Sequence, residues 1–325
     1  MTRGEECDIL LPCFVKTQKG DRKMENQRSV TSLMSSFGRA FHAENEEHPV
    51  FRDFLARQLM TEEEYRSLSG YVLGGASFFE PQTDFSGMPP HEIIRRLVNY
   101  HIAPNPLCRS AYTEGVLKRE IEKGTEQYVI LGAGLDTFAF REKETAGNVR
   151  IFEVDHPITQ EDKRERIARA KWEIPSNLIF VPVDFSKDNL EEKLINAGFD
   201  RSRRTFFSWL GVTCYLSAEE IGSVVSSIAD LCGKKSLLAF DFADERFFLS
   251  DVRRVKNTIL MAQAGGEKMK SCFSDREIGE MLASRGFAVR EILSPADIGE
   301  RVIPSGSDLL PFEHFRYCLA EREDE

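Results

Sequence analysis

No Cys-x-x-Cys pair, no apolar run near the ~20 residues of a membrane span and no excess of positive charge occur in this 325-residue sequence. Each absence narrows what the chain does. Its seven cysteines (Cys7, Cys13, Cys108, Cys214, Cys232, Cys272 and Cys318) are scattered and odd in number, which argues against a disulfide framework or a metal site and points to a reducing compartment. A formal charge of −10 argues against broad binding to nucleic acid or anionic membrane. Arg201, Arg203 and Arg204, and the pair Arg253 and Arg254, read as solvated loop and helix charges. Residues 1 to 23 mix acids and bases around a short Ile-Leu-Leu-Pro patch, unlike a signal peptide, so a cytoplasmic location is expected.

What is present is enough apolar material, 41% of residues, to fill a sizeable core. Residues 1–26 show no sustained period and are expected to be a flexible extension. From Gln27, the spacing of Val30, Leu33, Met34, Phe37 and Phe41 predicts a helix, Thr61-Glu-Glu-Glu64 a capped helix start, and Pro89-Pro-His-Glu92 another. Residues 27–124 therefore read as a helical cap or lid, and 125–325 as a Rossmann-like core. In the core, β-rich runs at 128–131, 149–154, 178–182, 205–210 and 236–240 alternate with helical stretches, which predicts a parallel sheet covered on both faces. A helix over Asp275–Arg285, ended by Gly286, precedes two closing strands at 287–293 and 314–320.

Chemistry enters at Tyr128-Val-Ile-Leu-Gly-Ala-Gly-Leu-Asp-Thr137, where an apolar strand runs into a glycine turn, and at Phe152-Glu-Val-Asp155, where an acid ends the next strand. Gly132 and Gly134 admit backbone angles closed to other residues, and with Ala133 they let a ligand lie against the main chain. Asp155 stands 21 residues beyond Gly134, the spacing at which a carboxylate receives ribose hydroxyls. A dinucleotide fingerprint places a third glycine where this chain has Thr137, and Asp136 would oppose a pyrophosphate. S-adenosyl-L-methionine is therefore favoured over NAD(P), which leaves an NAD(P)-dependent oxidoreductase as the lesser alternative.

Three further segments complete the pattern: Arg109-Ser-Ala-Tyr-Thr-Glu114, Val181-Pro-Val-Asp-Phe185 and Phe207-Ser-Trp-Leu-Gly-Val-Thr-Cys-Tyr-Leu216. Together the five motifs resemble the leucine carboxyl methyltransferase superfamily, and within it the bacterial and archaeal S-adenosylmethionine-dependent methyltransferases similar to polyketide carboxyl methyltransferases. The resemblance implies a class I methyltransferase fold, a seven-stranded, mostly parallel sheet with an N-terminal helical cap. It implies that Arg109 clamps the donor's carboxylate, Gly132, Ala133 and Gly134 line the donor, and Asp155 holds the ribose. Asp184 and Phe185 would read adenine, with His156 nearby, and Trp209 would either shield the sulfonium or pack in the core. Where several relatives carry a glutamate after the fourth strand this chain has Leu210, and the lysine of eukaryotic members falls at Gly38, which leaves neighbouring Arg39 as a candidate donor contact.

Methyl transfer from a sulfonium is an in-line displacement that needs alignment and exclusion of water, without a catalytic metal. A carboxylate acceptor is ionised at pH 7 and needs no base, whereas a hydroxyl benefits from one, for which Tyr215, His101 and His314 are the candidates. The expected function is O-methylation of a small-molecule carboxylate or hydroxyl. A peptide or protein carboxylate, as in the eukaryotic relatives, and a non-catalytic donor-binding protein are the alternatives. No nucleic acid or membrane partner is expected, and the oligomeric state is open.

Overall fold

The computed structural model describes residues 30–185 and 187–323. The expected extension at 1–26 and the helix start at Gln27 lie outside the described residues. Seven strands, β1 (Gln127–Leu131), β2 (Arg150–Asp155), β3 (Leu178–Pro182), β4 (Thr205–Trp209), β5 (Leu237–Ala243), β6 (Phe287–Leu293) and β7 (Phe315–Arg322), form one sheet in the order β3-β2-β1-β4-β5-β7-β6. The first five are parallel, and β7 runs antiparallel between β5 and β6. Leu131 pairs with both Val154 and Trp209, so β1, β2 and β4 end level with one another. The chain reverses its strand order at β1, which opens a crevice beyond the carboxyl ends of β1 and β4. All seven strands fall where the apolar runs placed them, and β5 continues three residues further than expected, to Ala243.

Side chains alternate across the sheet and build two cores. On one face, Tyr128, Ile130, Ile151, Phe206, Leu237 and Tyr317 pack with the N-terminal helices. These are α1 (Val30–Asn45), α2 (Glu62–Gly74), α3 (Pro90–Leu97) and α4 (Pro104–Glu122), with a π-helical segment Val98–Ile102 between the last two. On the other face, Val129, Phe152, Phe207, Trp209 and Phe240 meet apolar residues of α6 (Leu190–Asn196), α7 (Ala218–Leu231) and α9 (Asp275–Ala283). Helix α5 (Pro157–Arg169) follows β2, α8 (Arg253–Ala264) follows β5, and α10 (Pro295–Arg301) follows β6. The starts of α2, α7, α9 and α10 carry reciprocal capping boxes from Thr61, Ser217, Ser274 and Ser294, as the sequence predicts for Thr61.

The helical cap shares its core with the sheet: Phe37, Phe41, Leu68 and Val72 belong to the same apolar cluster as Tyr128 and Ile130. Helix α1 thereby lies against the glycine turn. No described helix is long and apolar enough to cross a membrane.

Candidate functional site

The glycine turn is bent back onto β2. The N–H groups of Gly132 and Ala133 both donate to the Val154 carbonyl, at 2.8 and 3.1 Å. Gly132 (φ +68°) and Gly134 (φ +48°) adopt the left-handed backbone that favours glycine. A Cβ on Gly134 would stand 2.6 Å from Ser32 Oγ of α1, and one on Gly132 would stand 2.5 Å from Val212 Cγ2 in the loop after β4. The turn is thus closely flanked on both sides, by the cap and by the β4 loop. Asp155 accepts from Gly134 N (2.5 Å, at Oδ2) and His156 N (2.6 Å, at Oδ1). Burial raises the Asp155 carboxyl, and these two N–H groups pull it the other way.

Arg109, on α4, reaches the opposite end of the crevice. Its Nη1 donates to Asp241 Oδ2 at 3.2 Å, and its guanidinium fills the space where Gly211 would otherwise carry a Cβ, 2.4 Å from Nη1 and Nη2. Gly211 has φ +71° and donates its N–H to Asp241 Oδ1 at 2.6 Å, while Thr213 Oγ1 donates to the Asp241 carbonyl. From Asp155 through the Gly132–Gly134 turn to Val212, Gly211 and Arg109, with Asp241 behind the guanidinium, these contacts therefore form a continuous wall. Its sequence-predicted members, Arg109, Gly132, Ala133, Gly134 and Asp155, are brought together by the ends of β1, β2, β4 and β5.

Asp184 and Phe185 follow β3 beside this line. His156 Nε2 lies 3.8 Å from Asp184 Oδ2, and Lys187 Nζ lies 3.0 Å from the same oxygen. His156 also caps α5, its Nδ1 accepting from Ile158 N at 3.4 Å. Phe185 packs on the edge of the second core. Trp209 is 1% exposed within that same core and its Nε1 has no partner, so its surroundings are those of a packing residue.

Beneath the glycine turn lies a buried polar network of which the sequence singled out Arg39 alone, as a candidate donor contact. Arg39 of α1 pairs with Asp53 and donates through Nη2 to the Leu135 carbonyl at 2.8 Å. Asp53, fully buried, also accepts from Thr137 Oγ1 at 2.7 Å and from Ala56 N at 3.1 Å. Arg141 stands 3.8 Å from Asp53 and 2.5 Å from Glu114. Burial raises the Glu114 carboxyl, and Arg141 draws it back. Arg39 thus holds the turn from below. Gly38 meets Ala103 so closely that an added Cβ would lie 3.3 Å from its Cα, so the position of the eukaryotic lysine is taken up by helix contact.

The three candidate bases do not converge. Tyr215 lies in the short turn Thr213–Tyr215 after β4, where burial raises its phenol well above the ordinary value. His101 is enclosed in the cap against Phe79 and Tyr100, with Glu80 Oε1 3.6 Å from its Nε2, and burial lowers it to about 4. His314, at φ +63° just before β7, holds Asp244 Oδ1 through Nδ1 at 2.9 Å. Asp241 and Asp53 are the residues that sequence reasoning missed. Asp241 offered one signal, a lone acid inside the otherwise apolar run Leu237–Ala243, and Asp53 offered none.

Three comparisons bear on this arrangement. The sequence pattern of the Leucine carboxyl methyltransferase family matches residues 32–229. A Bacillus subtilis protein named as an S-adenosyl-L-methionine-dependent methyltransferase, YktD, is 39% identical over 303 residues, covering 92% of this chain and 99% of its own. A similarly named Frankia alni protein is 31% identical over 45% of this chain, which spans about half (51%) of that relative. In fold, the chain is similar to a crystal structure from Thermobifida fusca described as a methyltransferase, with a TM-score of 0.55, 15% identity, and coverage of 93% of this chain and 97% of that one.

Proposed function

The chain belongs to the leucine carboxyl methyltransferase family and is an S-adenosyl-L-methionine-dependent methyltransferase; from that premise we propose that it O-methylates a carboxylate of a small molecule. The crevice fits such a donor. A nucleoside with an amino-acid arm requires hydroxyl acceptors at one end and a carboxylate partner at the other, and the wall supplies Asp155 and Arg109 at its two ends. Asp155 would accept the ribose hydroxyls, the Gly132–Gly134 backbone would line the donor, and Arg109 would bind its carboxylate. Asp184 and Phe185 would meet the adenine, with His156 beside them, while Trp209, packed in the core behind β4, would not face the donor. When bound, the donor supplies an electrophilic methyl group on sulfur. The chain's own task is to orient the acceptor in line with it and exclude water, and α1 closing over Gly134 serves that task.

The acceptor reading rests on one observation: none of Tyr215, His101 and His314 stands as a free base in the crevice, since burial raises the Tyr215 phenol, burial in the cap lowers His101 to about 4, and His314 is held by Asp244. An acceptor that is already an anion at pH 7 requires no such group, which favours a carboxylate over a hydroxyl. The test is transfer from methyl-labelled donor to panels of small carboxylic acids, phenols and peptides with free C-termini. Alkali-labile label on small acids is expected, as a methyl ester hydrolyses readily. Alkali-stable label on phenols would turn the reading to a hydroxyl, and label on peptides alone to a protein carboxylate. Donor binding with no transfer to any panel would make the chain a non-catalytic binding protein.

A further inference from the structure

The Arg109 guanidinium is held by an acid that belongs to another part of the chain and is closed off from solvent. Asp241 lies in β5, its side chain 1% exposed against 16% for Arg109, so it sits behind the guanidinium as seen from the crevice. Its carboxylate is divided: Oδ2 takes Nη1 of Arg109 and Oδ1 takes the N–H of Gly211, while the carbonyl of the same residue takes Thr213 Oγ1. One residue therefore ties together the arginine, the left-handed glycine that makes room for it and the loop after β4. With Nη1 engaged, the guanidinium still carries Nη2 and Nε donors, a fork of the kind that receives a carboxylate in two parallel hydrogen bonds.

We propose that Asp241 is a positioning residue that sets the orientation of Arg109 and so makes the site selective for ligands bearing an α-carboxylate. The inference rests on the donor reading above and deepens it. Asp241 touches no ligand itself, and its effect passes through Arg109. A guanidinium on a long stem loses much of its binding strength when it must be ordered at the moment of binding, and a buried carboxylate removes that cost in advance.

The experiment is calorimetric titration of the full chain with S-adenosylhomocysteine and with 5′-methylthioadenosine, which lacks the amino-acid arm. Asp241→Asn preserves the side-chain shape and an oxygen for Gly211 N–H but removes the charge facing Arg109. It should weaken S-adenosylhomocysteine binding by about tenfold and change methylthioadenosine binding by less than about twofold. Arg109→Ala should show the same selectivity, and adding Asp241→Asn to it should cost nothing further, since the second residue acts through the first. Equal losses for both ligands, additive losses in the double variant, or unchanged S-adenosylhomocysteine affinity would each overturn the proposal. If the unsubstituted chain bound neither ligand, the donor reading would fall and this inference with it. If it bound both, only the role of Asp241 would be at stake.

Discussion

At one end of the crevice, Asp155 accepts from Gly134 and His156, which lie 21 and 1 residues away in sequence; at the other, Arg109 is held by Asp241 across 132 residues. The first end is a product of one strand–turn–strand unit, and its partners are backbone N–H groups delivered by the β1–β2 pairing. The second end exists only because β4 and β5 bring Gly211 and Asp241 up to a helix that precedes the sheet. A locally built end tolerates change elsewhere in the molecule. An end assembled from three distant segments depends on the whole sheet being in register.

The largest expected effect tests whether the local end is as independent as its sequence spacing implies. Asp53→Ala would leave Arg39 and Arg141 buried without their shared carboxylate, and should cost about 3–5 kcal/mol of stability in denaturant unfolding. A loss of under about 1 kcal/mol would show that the glycine turn stands without the cap network.

Smaller effects separate the two ends. Asp155→Ala and Arg109→Ala should each weaken S-adenosylhomocysteine binding by ~1.5–3 kcal/mol, the worth of a charge-assisted hydrogen bond. Only Asp155→Ala should also weaken 5′-methylthioadenosine, measured by calorimetry, and equal behaviour of the two variants would erase the distinction between the ends.

Gly211→Ala sharpens the comparison at the long-range end. It forces a side chain into backbone at φ +71° and into the Arg109 guanidinium, so a stability loss of about 1–2 kcal/mol should accompany selective loss of S-adenosylhomocysteine affinity. An alanine variant with normal affinity would mean that Arg109 can bind from another position.

The smallest effect concerns how the cap is fastened to the core. Glu64 of α2 accepts from Arg166 of α5 at 2.7 and 2.9 Å, and with the Thr61 N–H this lowers its carboxyl from 4.5 to about 2 against the opposing cost of burial. A lowered carboxyl adds stability that is fully present above its unfolded value and is lost as pH falls from about 4.5 through about 2. Thermal melts of Glu64→Gln should therefore fall less steeply than those of the unsubstituted chain across that window. Parallel pH profiles would show that this pair does not contribute.

The strands were readable because their apolar runs are short, β-rich and bounded by turns, and the capped start at Thr61 because its partner Glu64 is three residues away. Asp155 was readable for the same reason of proximity. Trp209 was ambiguous in sequence because an aromatic at a strand end has two destinations, and only the face onto which β4 turns it, toward α7, chooses between them. The bases named from residue type scattered to the cap, the β4 loop and the approach to β7, because residue type carries no information about which segments meet.

By itself the sequence determined what neighbouring residues decide through sterics and short-range hydrogen bonds: the glycine turn, the acid that closes it, the helix starts and the alternation that makes a parallel sheet. The tertiary structure alone decided that Asp241 stands behind Arg109, that Gly211 makes room for it, and that Arg39 and Asp53 brace the turn from the cap. Those contacts depend on strand order and on a shared core between cap and sheet, which arise from burial summed over the whole chain and leave no mark in any one segment.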